Sequence, residues 1–203
     1  MMTNFRRLND DDNVKKLAHW IYAADVQLFN SLYTNKTNSL EAIVKLIMSD
    51  YINPYHRKFI TLVYDDNPKD IQALGLSFKG SEITVNETYN AFDSTGFTSV
   101  RNSLLYEYIS VLVASGIKRN DYYLSSIYVD TNHRKKYIGS KLVENIKQKA
   151  RQSNSNNLYV DVSEDKSSLI DFYGRLDFEK SKFNYHTLIG RQYGYITMVY
   201  KIK

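Results

Sequence analysis

The run from residue 122 to 162 constrains this chain more than any other part of it. An apolar, β-branched and aromatic stretch, "YYLSSIYV" (122–129), is followed by the basic turn "DTNHRKKY". Next comes a segment from 138 to about 151 whose apolar residues Ile138, Leu142, Val143, Ile146 and Ala150 recur at helical spacing. After the polar "QSNSNN", a second strand-like stretch, "LYVDV" (158–162), alternates Leu158, Val160 and Val162 with Tyr159 and Asp161. Two strands joined through a helix are parallel neighbours linked by a right-handed crossover, which requires a sheet with a helix packed on it. The expected class is α/β, with a mixed α+β sheet.

The flanking segments extend that sheet. Val14, Leu17, Ala18 and Ile21 form a helical stripe behind the capping residues Asp12 and Asn13, and Leu40, Ile43, Val44 and Ile47 form another behind Asn38 or Ser39. "KFITLVY" (58–64) and "IQALGLSF" (71–78) flank "DDNPKD", a hairpin pattern. Residues 79–97 are polar and turn-rich and are expected to be a loop. Val100, Leu104, Leu105, Tyr108, Leu112 and Val113 then mark a helix ending at Gly116. A short helix at about 166–175 precedes two aromatic strands, "FEKSKFNYH" and "YGYITMVYKI". No internal repeat is present, and 203 residues with 43% hydrophobic side chains suit one domain.

The turn between strand and helix carries the chemistry. A strand ending at Val129 followed by a helix starting near Ile138 leaves the first helical N–H groups without intrahelical acceptors. These and the positive end of the helix dipole form an anion site. Gly139 permits close backbone approach, and Arg134, Lys135 and Lys136 add positive charge suited to a diphosphate.

The pattern V-D-x-x-x-R-x-x-x-I-G-S-x-L, running here through Arg134, Lys135, Lys136, Tyr137, Ile138, Gly139 and Ser140, resembles the acyl-CoA-binding signature of the Gcn5-related N-acetyltransferases (GNAT), R/Q-x-x-G-x-G/A. "LYVDVSEDKSSLIDFYGRLDF" (158–178) is similar to that family's later strand, loop and helix. Tyr137 replaces the first motif glycine, Lys166 stands where the family has a loop Asn, and Asp177 replaces a Gly. Tyrosine disfavours positive φ, so a looser turn is expected at 137.

The resemblance implies a single GNAT domain over 1–203, with splayed central parallel strands and an inserted helix before the cofactor strand. In this reading residues 79–121 are an insertion acting as an acceptor-side lid or an extra helix. The cosubstrate implied is acetyl-CoA, its pantetheine arm paired with backbone at Ile127, Tyr128 and Val129, and its diphosphate held by residues 134–140 with Lys166 nearby. The reaction implied is direct acetyl transfer to a primary amine of a small molecule or peptide, without a covalent enzyme intermediate. Asp161 is then the candidate base and Tyr173 the candidate acid.

Composition fits this reading. No cysteine is present, so neither a disulfide framework, a thiolate zinc site nor a cysteine nucleophile is available. The four histidines lack metal-site spacing, and no metal is expected. The N-terminus lacks a signal-type apolar core, and no 18-residue uncharged apolar run occurs, so a cytoplasmic protein with no membrane partner is expected. A formal charge of +5 suits an anionic ligand, but the scattered basic residues match no nucleic-acid motif, so no nucleic-acid partner is expected. The two aromatic C-terminal strands are suited to a homodimer edge. The competing function is a catalytically degenerate CoA-binding regulatory module of the same fold.

Overall fold

A computed structural model describes residues 3–96, 118–188 and 191–203. The strands are β1 (Asn4–Arg7), β2 (Ile60–Tyr64), β3 (Ile71–Lys79), β4 (Tyr122–Val129), β5 (Asn157–Ser163), β6 (Glu179–Leu188) and β7 (Arg191–Lys201). The helices are α1 (Val14–Ala24), α2 (Val26–Tyr33), α3 (Lys36–Ile47), α4 (Val85–Asp93), α5 (Ile138–Gln152) and α6 (Ser167–Gly174). The strands form one mixed sheet in the order β1-β2-β3-β4-β5-β7-β6. Neighbours run antiparallel except β4 and β5, which are parallel.

Strand alternation divides the apolar residues between two cores. Leu62, Leu74, Leu76, Phe78 and Tyr123 join the buried faces of α1 to α4, including Leu17, Ile21, Phe29, Leu46 and Phe92. Leu124, Leu158, Val160 and Val162 pack with Leu142, Val143 and Ile146 of α5 and with Ile170 and Tyr173 of α6. Each fully buried Leu or Ile contributes roughly 1.5–3 kcal/mol, so these two layers supply the main driving force. Gly75 lets α5 sit close on the sheet, because a Cβ there would come within 3.2 Å of both Leu142 and Ile146.

The parallel strands part early. β4 and β5 are in register only at Tyr122↔Leu158 and Tyr123↔Tyr159. On its other edge β4 pairs with β3, where the register shifts between Leu76 and Ser77. Ser126 faces Leu76 and Leu124 faces Ser77, leaving Ser125 as an extra residue. Such a bulge bends and twists the strand that carries it. It falls directly after the last β4–β5 pair, so β4 leaves β5 there and a fork opens toward the C-terminal ends of both strands.

The hairpin, the β-α-β unit and the paired C-terminal strands agree with the sequence pattern, and Asn13 caps α1 through Lys16 N–H at 3.0 Å. Three local expectations differ. α3 starts a turn earlier, at Lys36, because Asn35 accepts from Asn38 N–H at 2.9 Å. α2 is separate from α1 because Asp25, with a non-helical backbone (φ −147°, ψ 71°), ends one helix and caps the next through Leu28 N–H. Part of the expected loop at 79–97 is helical: Thr84 caps α4 through Glu87 N–H, and Thr88, Ala91 and Phe92 are buried. The expected helix at about 100–116 lies outside the described residues.

Arg6 ties β1 to the β2–β3 turn. Its guanidinium donates to both Asp12 oxygens, at 2.7 and 2.6 Å, and to the Pro68 carbonyl at 2.8 Å. The Arg6 hydrogen bond holds the Asp12 carboxyl below its usual range against the opposing effect of burial. A depressed carboxyl stabilises the fold above the unfolded-state value, and that stabilisation fades as pH falls through the lower folded value. Asp12→Asn should therefore lower unfolding free energy by about 1–2 kcal/mol at pH 7, measured by urea denaturation. The gap from wild type should close as pH falls through the depressed folded value; a gap independent of pH would remove the Asp12 charge from this account.

Candidate active site

The fork, the end of β4 and the start of α5 form one continuous feature. Beyond Tyr123, β4 keeps β3 on one edge and has no β5 partner on the other; Asp130 N–H donates to the Gln72 carbonyl, a register that turns the backbone of Ile127 and Val129 toward the opening and, contrary to expectation, the Tyr128 backbone toward Leu74 of β3. The chain then turns through Thr131–His133 and enters α5 with no side-chain cap. First-turn amides have no intrahelical acceptor, so those of Ile138, Gly139 and Ser140 remain available to an anion.

A cavity of about 480 Å³ lies at this mouth. Its walls include Arg134, Lys135, Tyr137, Ile138, Gly139 and Ser140 on one side and Phe172, Arg175 and Leu176 of the α6 region on the other. Val129 and His133 complete it. A Cβ on Gly139 would stand 3.5 Å from Phe172 and 3.7 Å from Val129, so the glycine leaves open the space between strand end and α6. Lys136 is exposed and does not line this cavity. Lys166, expected beside the diphosphate, instead directs its Nζ to the Ala24 carbonyl at the end of α1, at 3.3 Å.

The expectation of a looser turn at Tyr137 is corrected. Tyr137 adopts φ 59° and ψ 12°, the left-handed conformation that the motif glycine would supply, and Lys135 has φ 62°. The tyrosine ring is 79% exposed, so the backbone geometry is reached without a steric clash in the core. A left-handed residue beside helical Ile138 turns successive amides toward one side, a concavity suited to anions. Asp177 behaves in the same way, with φ 60° where the family has glycine.

An aromatic column links this loop to α1. Arg134 lies over the Tyr128 ring at 5.6 Å, Tyr128 stacks on Trp20 at 5.4 Å and 22°, and Lys16 lies over Trp20 at 4.7 Å. Arg134 Nε also donates to the Val129 carbonyl at 3.3 Å. The chain's single tryptophan thus contacts the strand that borders the fork.

Asp161 and Tyr173 lie on opposite faces of the sheet, and neither lines the cavity at the α5 mouth. Val160 and Val162 point into the α5 core, so Asp161 points toward the α1 side, where both its oxygens are engaged. Tyr123 Oη donates to Oδ2 at 2.8 Å and Thr197 Oγ1 donates to Oδ1 at 2.5 Å. Burial first, and the Asp161 charge second, push the Tyr123 phenol well up. Tyr173 is buried on the α5 side with edge-on contacts to Phe172 and Phe178, and burial pushes its phenol up as well. Tyr123, Thr197 and the α6 wall were not singled out by sequence. For Phe172 and Leu176 a signal existed in their i,i+4 spacing, but for Tyr123 none did, because its partner is 38 residues away.

Comparison with known proteins agrees with this geometry. Residues 82–178 match the acetyltransferase (GNAT) family. No curated protein matches the sequence. Among solved structures, an acetyltransferase has a TM-score of 0.68 at 16% identity, covering 98% of this chain and 100% of that one. An N-acetyltransferase from Staphylococcus aureus Mu50 has a TM-score of 0.67 at 15% identity, covering 97% and 100%. The yncA protein of Salmonella typhimurium, solved with its cofactor acetyl-CoA, has a TM-score of 0.60 at 12% identity, covering 99% and 94%. At these identities the likeness is one of fold, and the fold is that of GNAT acetyltransferases.

The left-handed backbone predicts a stability gain. A non-glycine residue there costs roughly 1–2 kcal/mol, against about 0.4–1 kcal/mol for the added unfolded-state freedom of glycine. Tyr137→Gly should raise Tm by about 1–4 °C. Asp177→Gly should gain less, because Asp tolerates this region better and its Oδ2 lies 3.9 Å from the buried Lys147 ammonium. A Tm lowered by Tyr137→Gly would show that the ring contributes packing.

Proposed function

From the premise that this chain carries a GNAT-family acetyltransferase domain over residues 82–178, we propose that it transfers an acetyl group from acetyl-CoA to a primary amine of a small molecule or peptide, by direct attack. The observation that carries this reading is the unpartnered edge of β4 running into an uncapped helix start beside a cavity of about 480 Å³. A long ligand with an amide-bearing arm and a diphosphate fits that sequence of donors and acceptors.

The residues present suit acetyl-CoA, which when bound supplies an acetyl group activated as a thioester. Backbone groups of Ile127 and Val129 would pair with its arm as an added strand would. Amides of Ile138, Gly139 and Ser140, with Arg134 and Lys135, would hold the diphosphate. Asp161 accepts the proton that the acceptor ammonium must lose, directly or through one water. Tyr173 stays protonated at neutral pH because burial raises its phenol, so it offers a hydrogen bond to the departing thiolate sulfur. A positioned acid or base contributes roughly 10²- to 10⁴-fold. No cysteine is needed, and none is present. A regulatory, non-catalytic CoA binder was motivated by the departures from the motif. The retained left-handed backbone at Tyr137 and Asp177 weakens that motive.

Acetyl-CoA at about one hundred times its Kd should raise Tm by roughly 5–10 °C, and a melting curve unmoved at millimolar concentration would overturn the proposal. The same titration should change Trp20 emission, because its stacking partner Tyr128 borders the fork. A binder whose Trp20 emission stays constant would place the arm elsewhere. CoA release should follow addition of one member of a panel of amino-acid amides, aliphatic polyamines and tripeptides with free N-termini; binding without release across the panel would favour the regulatory module. Tyr173→Phe should lower turnover by about 10²-fold with acetyl-CoA affinity within about twofold of wild type. Full activity in that variant would remove Tyr173 from the mechanism.

A further inference from the structure

We propose that Tyr123 is a positioning residue for the acceptor amine, acting through Asp161 as one end of a hydrogen-bonded chain that spans the fork. The inference rests on the acetyltransferase reading and adds to it the residues that aim the acidic group.

The chain runs Asn184 to Thr197 to Asp161, with Tyr123 closing on Asp161 from the other strand. Asn184 Nδ2 donates to Thr197 Oγ1 at 2.7 Å, and Thr197 Oγ1 donates to Asp161 Oδ1 at 2.5 Å. Tyr123 Oη donates to Asp161 Oδ2 at 2.8 Å. The directions are set by chemistry, because a carboxylate only accepts and the Thr197 hydroxyl receives the amide proton from behind. The four side chains belong to β6, β7, β5 and β4 in spatial order, on the sheet face opposite α5.

Position makes the Tyr123 contact more than packing. Backbone pairing between β4 and β5 ends at Tyr123↔Tyr159, and Asp161 is two residues farther along β5. The phenol–carboxylate bond is therefore a side-chain link at the point where the strands part. Thr197 is directly opposite Asp161 on β7, so the carboxylate is gripped from both flanks. Among the described residues each oxygen accepts one bond, and a carboxylate oxygen has capacity for another, which an incoming ammonium could supply. The carboxylate plane is thereby set before the acceptor arrives, and pre-set geometry is what an acceptor-orienting group needs. Tyr123 itself keeps its proton throughout, since burial beside an anion opposes phenolate formation.

The test uses the full chain and whichever amine of the panel above the wild type acetylates fastest. Tyr123→Phe should lower kcat/KM for that amine by about 10-fold, while acetyl-CoA affinity, read from Tm shift and Trp20 emission, stays within about twofold. Thr197→Val should show a loss of the same kind, and Thr197→Ser, which restores the donor, should recover most of it. In an Asp161→Asn background Tyr123→Phe should add less than about twofold, because the two residues act as a unit. Wild-type amine kinetics in Tyr123→Phe, or an equal loss in the Asp161→Asn background, would overturn the inference; should Tyr123→Phe not fold, the Thr197 pair decides it. A wild type that binds no acetyl-CoA or acetylates no panel member defeats the parent reading instead, and this inference with it.

Discussion

The β4 bulge at Ser125 is the constraint on which the rest of this molecule depends. A parallel pair in a regular sheet would carry its backbone bonds along the full shared length, leaving nothing for a ligand to pair with. One extra residue bends β4 away after two registered pairs, and the backbone groups of Ile127 and Val129 on its outer edge face a gap rather than β5. The bend also delivers Val129 to the place where α5 begins, so the exposed strand edge and the exposed helix amides lie end to end. Ladder bonds surrendered between the two strands thus leave backbone donors and acceptors free at the fork.

Such an opening has to be held, or the two apolar layers would close it. On one face α5 is seated against Gly75 by Leu142 and Ile146. On the other, Trp20 and Tyr128 stack between Lys16 and Arg134 and join α1 to the turn between β4 and α5. At the apex Tyr123 and Thr197 hold Asp161. Packing fixes the walls and a short polar chain fixes the vertex, so the fork is a built shape and not a fault in pairing. The same division separates the two candidate catalytic groups, with Asp161 on the helical α1 side and Tyr173 among aromatic rings on the α5 side.

Departures from the family motif illustrate how backbone and side-chain requirements come apart. The turn into α5 takes a left-handed residue, and Tyr137 supplies that conformation while 79% exposed. Asp177 does likewise where α6 gives way to β6. At Tyr137 a conformational penalty of roughly 1–2 kcal/mol, and at Asp177 a smaller one, is offset by the surrounding structure.

Much of this was legible along the chain. The strand, basic turn and helix from 122 to 152 are marked by hydrophobic period and by Gly139, and the alternation in "LYVDV" is enough to turn Asp161 away from Val160 and Val162. α4 escaped notice because its signal lay in the Thr84 cap and not in a long apolar stripe. Sequence determined which elements exist, their order, and the unsatisfied donors at the head of α5, because period and capping are properties of neighbouring residues. Tertiary structure alone decided that β4 and β5 part after Tyr123, that Phe172 and Arg175 form the far wall of the cavity, that Lys166 reaches the end of α1, and that Tyr123 meets Asp161. Those facts depend on strand register, and a single extra residue in one strand changes which side chains meet across the sheet.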